Sequence, residues 1–262
     1  MRPIRAFSLA AAGLALLAAP AGATGVSSGV PYEVLVSVGG NTYDLDDMPH
    51  SYVAHYYGGD LVGGNYELTS DVVTPYGTIT DWSSVFATDP QVTNNFTVVN
   101  NTLVSQVFTV SVTSPIAPVL PTSLMRGSIG ITITDEGPLD GGGDTDGIAT
   151  LDSFGGVAVY RAFLDGAHVG GGSDLLDDPY SLSCTPFNCS AVDTENFGIP
   201  VRIAGPGATL SMGITVQFEL SAGDSASVTS VFNIIPVPEP STAVIFGLGL
   251  VGLAIAGRRR SH

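Results

Sequence analysis

The residues best suited to chemistry lie between Asp135 and Gly147, where the chain reads Asp-Glu-Gly-Pro-Leu-Asp-Gly-Gly-Gly-Asp-Thr-Asp-Gly. Hard cations take several oxygens at about 2.3–2.6 Å from a backbone that bends easily, and Asp alternating with Gly supplies both. On the spacing of an EF-hand loop, Asp144, Asp146 and Gly147 take the third, fifth and sixth places. The first place is then Gly142 and the twelfth Ser153, so an EF-hand is excluded. Asp140 and Asp152 would complete an irregular Ca²⁺ set with Asp144 and Asp146. Asp-Gly strings are also ordinary solvated turns, and the sequence leaves both readings open. The acids Asp174, Asp177 and Asp178, and Asp44, Asp46 and Asp47, carry the same ambiguity, with solvated loops the favoured reading for the first group.

Other chemistry is sparse. His50 and His55 lie among Tyr52, Tyr56 and Tyr57, with Trp82 downstream. Aromatic faces at a sandwich rim would stack on sugars, but strand aromatics more often fill a core, the reading favoured here. The two His are five apart and so on opposite faces of a regular strand, a poor arrangement for a shared metal. Gly223-Asp224-Ser225 resembles the Gly-Asp-Ser start of one esterase class, yet only His262 follows it. No nucleophile elbow, phosphate loop or zinc-spaced Cys/His cluster occurs. The expected protein is not an enzyme; a hydrolase with carboxylates far apart in sequence is the least favoured alternative. Cys184 and Cys189, around Thr-Pro-Phe-Asn, read as a local disulfide pinning one loop in an exported chain.

These residues need a scaffold, and the pattern for one is clear. Residues 34–38, 96–99, 107–112, 128–134, 157–160 and 209–220 alternate apolar with Ser, Thr or other small polar residues, or run β-branched. Period-2 alternation buries one face and wets the other, the mark of antiparallel sheets. With 33 Gly and 17 Pro in 262 residues and turn signals between the runs, short strands are favoured over helices. The expected fold is all-β: an antiparallel β-sandwich, jelly-roll or immunoglobulin-like, over residues 24–236. Pro115, Pro118 and Pro121 make their stretch a crossover or an edge. One domain is preferred, with two sub-domains meeting at the Gly/Asp-rich loop around 135–150 as the alternative.

Both ends differ from this middle. Arg2 and Arg5, an apolar run from Leu9 to Ala19 and Ala21-Gly22-Ala23 form a secretory signal over residues 1–23. Residues 242–257 are apolar and precede Arg258, Arg259 and Arg260, a pattern for a transmembrane helix with its Arg cluster in the cytoplasm. Before the apolar run stand Val237-Pro238-Glu239-Pro240-Ser241.

Pro238-Glu239-Pro240, a short apolar helix and a terminal Arg cluster, in that order over residues 237–262, resemble the PEP-CTERM sorting signal of Gram-negative bacteria. The resemblance implies recognition by exosortase, a membrane-embedded cysteine protease, after passage through the Sec translocon. It implies a transiently membrane-anchored chain that is then released to the cell surface or the extracellular space. Such tails accompany diverse ectodomains, often in bacteria that secrete exopolysaccharide. The resemblance supplies an address and not an activity. The expectation is a non-enzymatic surface or matrix protein associated with exopolysaccharide or biofilm, with a carbohydrate-binding module as the alternative.

The charge follows the same division. All eight basic residues are Arg, and the whole chain carries −16. Setting aside the five terminal Arg and Glu239 leaves Arg126, Arg161 and Arg202 against 23 acids, a formal −20 for the middle. Such a body repels phosphate backbones, so nucleic acid is excluded as a partner and cations are natural small ones.

Overall fold

Alternation along the chain becomes two facing antiparallel sheets in the computed structural model, which describes residues 32–57, 60–87, 90–117, 119–136 and 147–237. The strands are β1 Glu33–Val38, β2 Asn41–Asp44, β3 His50–Tyr57, β4 Asp60–Leu68, β5 Val72–Val73 and β6 Thr78–Ala87. Then come β7 Gln91–Val99, β8 Gln106–Pro115, β9 Ser123–Thr134, β10 Ala149–Asp152, β11 Tyr160–Leu164 and β12 Ala167–His168. The series closes with β13 Ser181–Cys184, β14 Ser190–Phe197, β15 Ile203–Gly205, β16 Ser211–Leu220 and β17 Ser225–Pro236. One 3-10 turn, Leu45–Asp47, is the helical element among the described residues. The signal at 1–23 and the apolar run at 242–257 lie outside them.

One sheet runs β12-β11-β16-β8-β1-β2, with β10 bridging β16 and β13; the other runs β14-β9-β17-β7-β6-β4-β3, with β15 beside β14 on β9 and β5 on β6. The inward residues of both sheets, from Tyr32 to Ile234, share one core. Val34, Val36 and Val38 on β1 and Ile129, Ile131 and Ile133 on β9 are buried, with polar or less buried residues between them. Residues 116–122 carry the chain from one sheet to the other. Pro115 still pairs with Ser211, while Leu120 and Ala208 form an isolated bridge. Along 157–160 the expected strand is shorter than the pattern: β11 starts at Tyr160. Val159 donates to Leu176 O and accepts from Gln217 N, so its backbone groups are satisfied in a bend.

A register shift in β6 decides where its largest side chain goes. Thr80 pairs with Thr97 but Ser83 with Asn95, so Asp81 and Trp82 together oppose Phe96. From buried Ile79, strict alternation would turn residues 81 and 83 inward and Trp82 outward. The extra residue reverses this: Asp81 takes φ 53° and is exposed, and Trp82, Ser84 and Phe86 point into the core. Trp82 stacks on Phe96 at 5.2 Å. Its Nε1 donates to Ser84 Oγ at 3.0 Å, and Ser84 donates to Asn94 Oδ1 at 2.8 Å. A left-handed φ costs a non-glycine residue roughly 1 kcal/mol, so Asp81→Gly is expected to raise stability by up to that amount in chemical denaturation. A loss would show that the Thr80–Asp81 hydrogen bond outweighs the backbone strain.

Candidate functional site

Three places concentrate polar chemistry: the end of the sandwich where β9 leaves and β17 begins, the corner between β2 and β3, and the end where β17 stops. At the first, Asp135 and Asp224 are buried at 1% and 0% exposure. Ser221 Oγ donates to the Asp224 carboxylate and Ser225 Oγ to Glu136. Asn100 ties this end together: its N–H donates to Asp224 O, its O accepts from Gly223 N, and its amide donates to Val104, Leu220 and Ser221 carbonyls. Gly223-Asp224-Ser225 is thus the β16–β17 turn, and the Ser225 hydroxyl meets a carboxylate and not an imidazole.

The Ca²⁺ candidates divide. Asp140, Asp144 and Asp146 lie outside the described residues, and Asp152 sits half-buried at the end of β10, in register with Ser181 and Glu219. Among the described residues no group of three His, Cys, Asp or Glu side chains is placed to hold a metal. The other acids serve local structure. Asp174 Oδ1 meets His168 Nε2 at 2.6 Å, and Asp178 accepts from Ser153 Oγ at 2.6 Å. Asp165, with φ 51°, closes the β11–β12 turn. Burial opposes its ionisation, but the amides of Ser211, Leu210 and Thr209 outweigh that and hold its carboxyl down at about 2. Cys184 at the end of β13 and Cys189 just before β14 form a disulfide with a Cα separation of 5.9 Å.

At the β2–β3 corner, Asp44 Oδ1 accepts from Asp46 N and caps the 3-10 turn. Tyr66 reaches Leu45 O with its hydroxyl, and His50 stacks on the Tyr66 ring at 4.7 Å. Asp46 has one carboxylate oxygen buried with no hydrogen bond. Burial, and then the Asp44 charge, push its carboxyl up to about 6, with His50 opposing. A carboxyl raised on folding is satisfied when protonated, so its stability is intact below about pH 4 and falls as pH rises through 6. Asp46→Asn is therefore expected to raise stability at pH 7 by roughly 1 kcal/mol, allowing for solvent screening, and to change little at pH 4. Urea titrations at the two pH values check this; an equal effect at both would remove the charge as its cause.

The aromatic candidates separate in the same way. Trp82 is 2% exposed and part of the core, so it is unavailable to a sugar. Tyr52 packs half-buried against Phe86 and Tyr32, whereas Tyr56 is 67% exposed. His55 is exposed beside a register shift at Tyr56 and His50 is half-buried on Tyr66, so the two imidazoles do not converge. No exposed aromatic row that includes Trp82 exists.

The third place is where the chain leaves the sandwich. Pro236 ends β17 against Ser123, and Val237 N donates to Thr122 O at 3.4 Å. Residues 236–260 match the family described as the PEP-CTERM protein-sorting motif. The chain carries a PEP-CTERM sorting signal. The PEP-CTERM match begins on the last residue of β17 and takes in Pro238, Glu239, Pro240, Arg258, Arg259 and Arg260, all outside the described residues. PEP-CTERM sorting implies an exported protein directed to the cell surface and processed by exosortase.

For the body the comparisons yield less. No curated protein matches the chain significantly. Six solved chains do, among them a carbohydrate-binding module, TmCBM61, in complex with β-1,4-galactotriose. It is 15% identical and aligns over 64% of this chain and 86% of its own with a TM-score of 0.28.

Proposed function

We propose that this chain is a non-enzymatic cell-surface or extracellular-matrix protein. Its apolar segment 242–257 holds it in the inner membrane until exosortase removes the PEP-CTERM tail, and the released β-sandwich then associates with exopolysaccharide. One observation carries the reading: the sorting signal starts on the last residue of β17, so the tail addresses a finished sandwich. The polar groups of that sandwich support it, because Asp44 caps a 3-10 turn, Asp165 closes the β11–β12 turn and Ser221 and Ser225 bond carboxylates at the β16–β17 turn. The burial of Trp82 argues against the stacking platform that a sugar-binding module would use, although Tyr56 stays exposed.

The test is retention of the exported protein on the producing bacterium's own exopolysaccharide, with and without Ca²⁺. Retention in either condition supports the reading. No retention in both conditions, with the protein still surface-delivered, would overturn the matrix role while leaving the sorting intact.

A further inference from the structure

Two of the three Arg of an otherwise acidic body lie side by side, while Arg161 is on β11 in the other sheet. Arg126 on β9 pairs in register with Asn233, three residues before the end of β17. Arg202 directly precedes Ile203, which pairs with Met125, the neighbour of Arg126. Residues 198–202 link β14 to β15 across this spot. Gly198 has φ +67°, and a Cβ there would meet Met125 O at 2.4 Å and the Cα of Arg126 at 2.9 Å, so the link passes hard against Arg126. The same link carries Ile199 and Val201, 54% and 77% exposed. Neither Arg has an ion-pair partner among the described residues, although acids outnumber bases throughout. Arg202 donates instead to Asn233 O at 3.4 Å. Two adjacent guanidinium groups with no ion-pairing carboxylate among the described residues, beside two exposed aliphatic side chains, form an amphipathic cationic surface.

The position of this surface identifies what it meets. At about 3.3 Å per residue, Arg126 is about 10 Å along β17 from Pro236. Only residues 237–241 separate Pro236 from the apolar run at 242, and five residues span at most about 17 Å. If that run is in a bilayer, this end of the sandwich is held at the headgroup layer. Asp135, Glu136 and Asp224 lie at the other end of β9 and β17, eleven residues or about 36 Å away. That exceeds a Debye length of about 8 Å several-fold, so their repulsion from an anionic surface is screened while the two Arg act at contact.

We propose that Arg126 and Arg202, flanked by Ile199 and Val201, form a lipid-facing patch that seats the tethered domain on an anionic phosphate headgroup layer before the tail is removed. The guanidinium groups bind lipid phosphates, and the two aliphatic side chains enter the interfacial region. The patch orients the domain on its short tether and turns the acidic end away from the bilayer. The proposal rests on the reading of residues 242–257 as a membrane anchor.

The test uses the full chain reconstituted into vesicles containing phosphatidylglycerol and lipids brominated in the acyl chains near the headgroup. Val201→Trp reports contact by quenching, Val104→Trp at the opposite end is the control, and Trp82 is a constant buried background. Val201→Trp is expected to be quenched well beyond Val104→Trp. Arg126→Gln with Arg202→Gln is expected to remove the difference, each Arg supporting roughly a fivefold shift in the contact equilibrium. Vesicles of phosphatidylcholine alone are expected to weaken the difference. Equal quenching at both positions in a chain that co-floats with the vesicles would overturn the patch and leave the anchor standing. A chain that fails to co-float would overturn the anchor and the patch with it. Equal quenching together with impaired tail processing by the double Arg variant would reassign the surface to a protein partner.

Discussion

Replacing Pro238, Glu239 and Pro240 with Ala is expected to leave the chain unprocessed and cell-associated, with essentially none delivered to the surface. The expectation follows from the match of residues 236–260 to the PEP-CTERM motif, within which these three residues separate the last strand from the apolar run. Anchoring alone needs only length and hydropathy, both of which the substitution leaves intact. The two functions of the tail are thereby separated in one variant. Immunoblots of membrane, surface and medium fractions check the outcome, and unchanged processing would mean that the tail is a plain anchor. The sandwich is expected to fold as before, because β17 ends at Pro236 and its last backbone bond is from Val237.

The second large effect is on stability. Trp82→Ala is expected to cost about 4 kcal/mol, the usual range for deleting a fully buried large aromatic. The loss combines the stacking on Phe96 with the cavity left behind, and it orphans the Ser84–Asn94 pair that the indole donor completes. For a domain of this size that corresponds to a fall in Tm of roughly 8–16 °C. A melting curve on the purified protein reads it directly. Exopolysaccharide retention at a temperature where the variant is folded is expected to be unchanged. A variant with normal melting and lost retention would make Trp82 a ligand contact after all and overturn its place in the core.

The two variants probe different levels of the molecule. The tail acts through its own local residues, so its role is separable from the fold. Trp82 acts through packing, and its role depends on the β6–β7 register. That difference also explains which parts were legible from the residues alone. Alternation in 34–38, 96–99, 107–112 and 128–134 marks strands because a pleated backbone sends successive side chains to opposite faces, and each of these runs lies within a strand. The crossover at Pro115–Pro121 follows from missing ladder donors. Along 157–160 only Tyr160 is in a strand, since Val159 bonds Leu176 O and Gln217 N from a bend.

Candidate sites were harder to read because acids and aromatics take their roles from surroundings that are distant in sequence. Asp46 and Asp165 are both turn acids, yet burial pushes one up to about 6 and convergent amides hold the other at about 2. The Asp44 charge beside Asp46 is visible along the chain, but neither the burial of Asp46 nor the amides of residues 209–211 that converge on Asp165 is. Arg126 and Arg202 are 76 residues apart and meet because β14 and β15 share β9 as a partner.

The sequence by itself determined the all-β class and the C-terminal address, since both rest on local pattern: period-2 hydropathy in one case, a contiguous motif in the other. Only the tertiary structure decided which way Trp82 faces. A single extra residue at Asp81 shifts the β6–β7 register and turns the indole from the wet face to the core, and no periodicity within β6 shows which partner absorbs the extra residue.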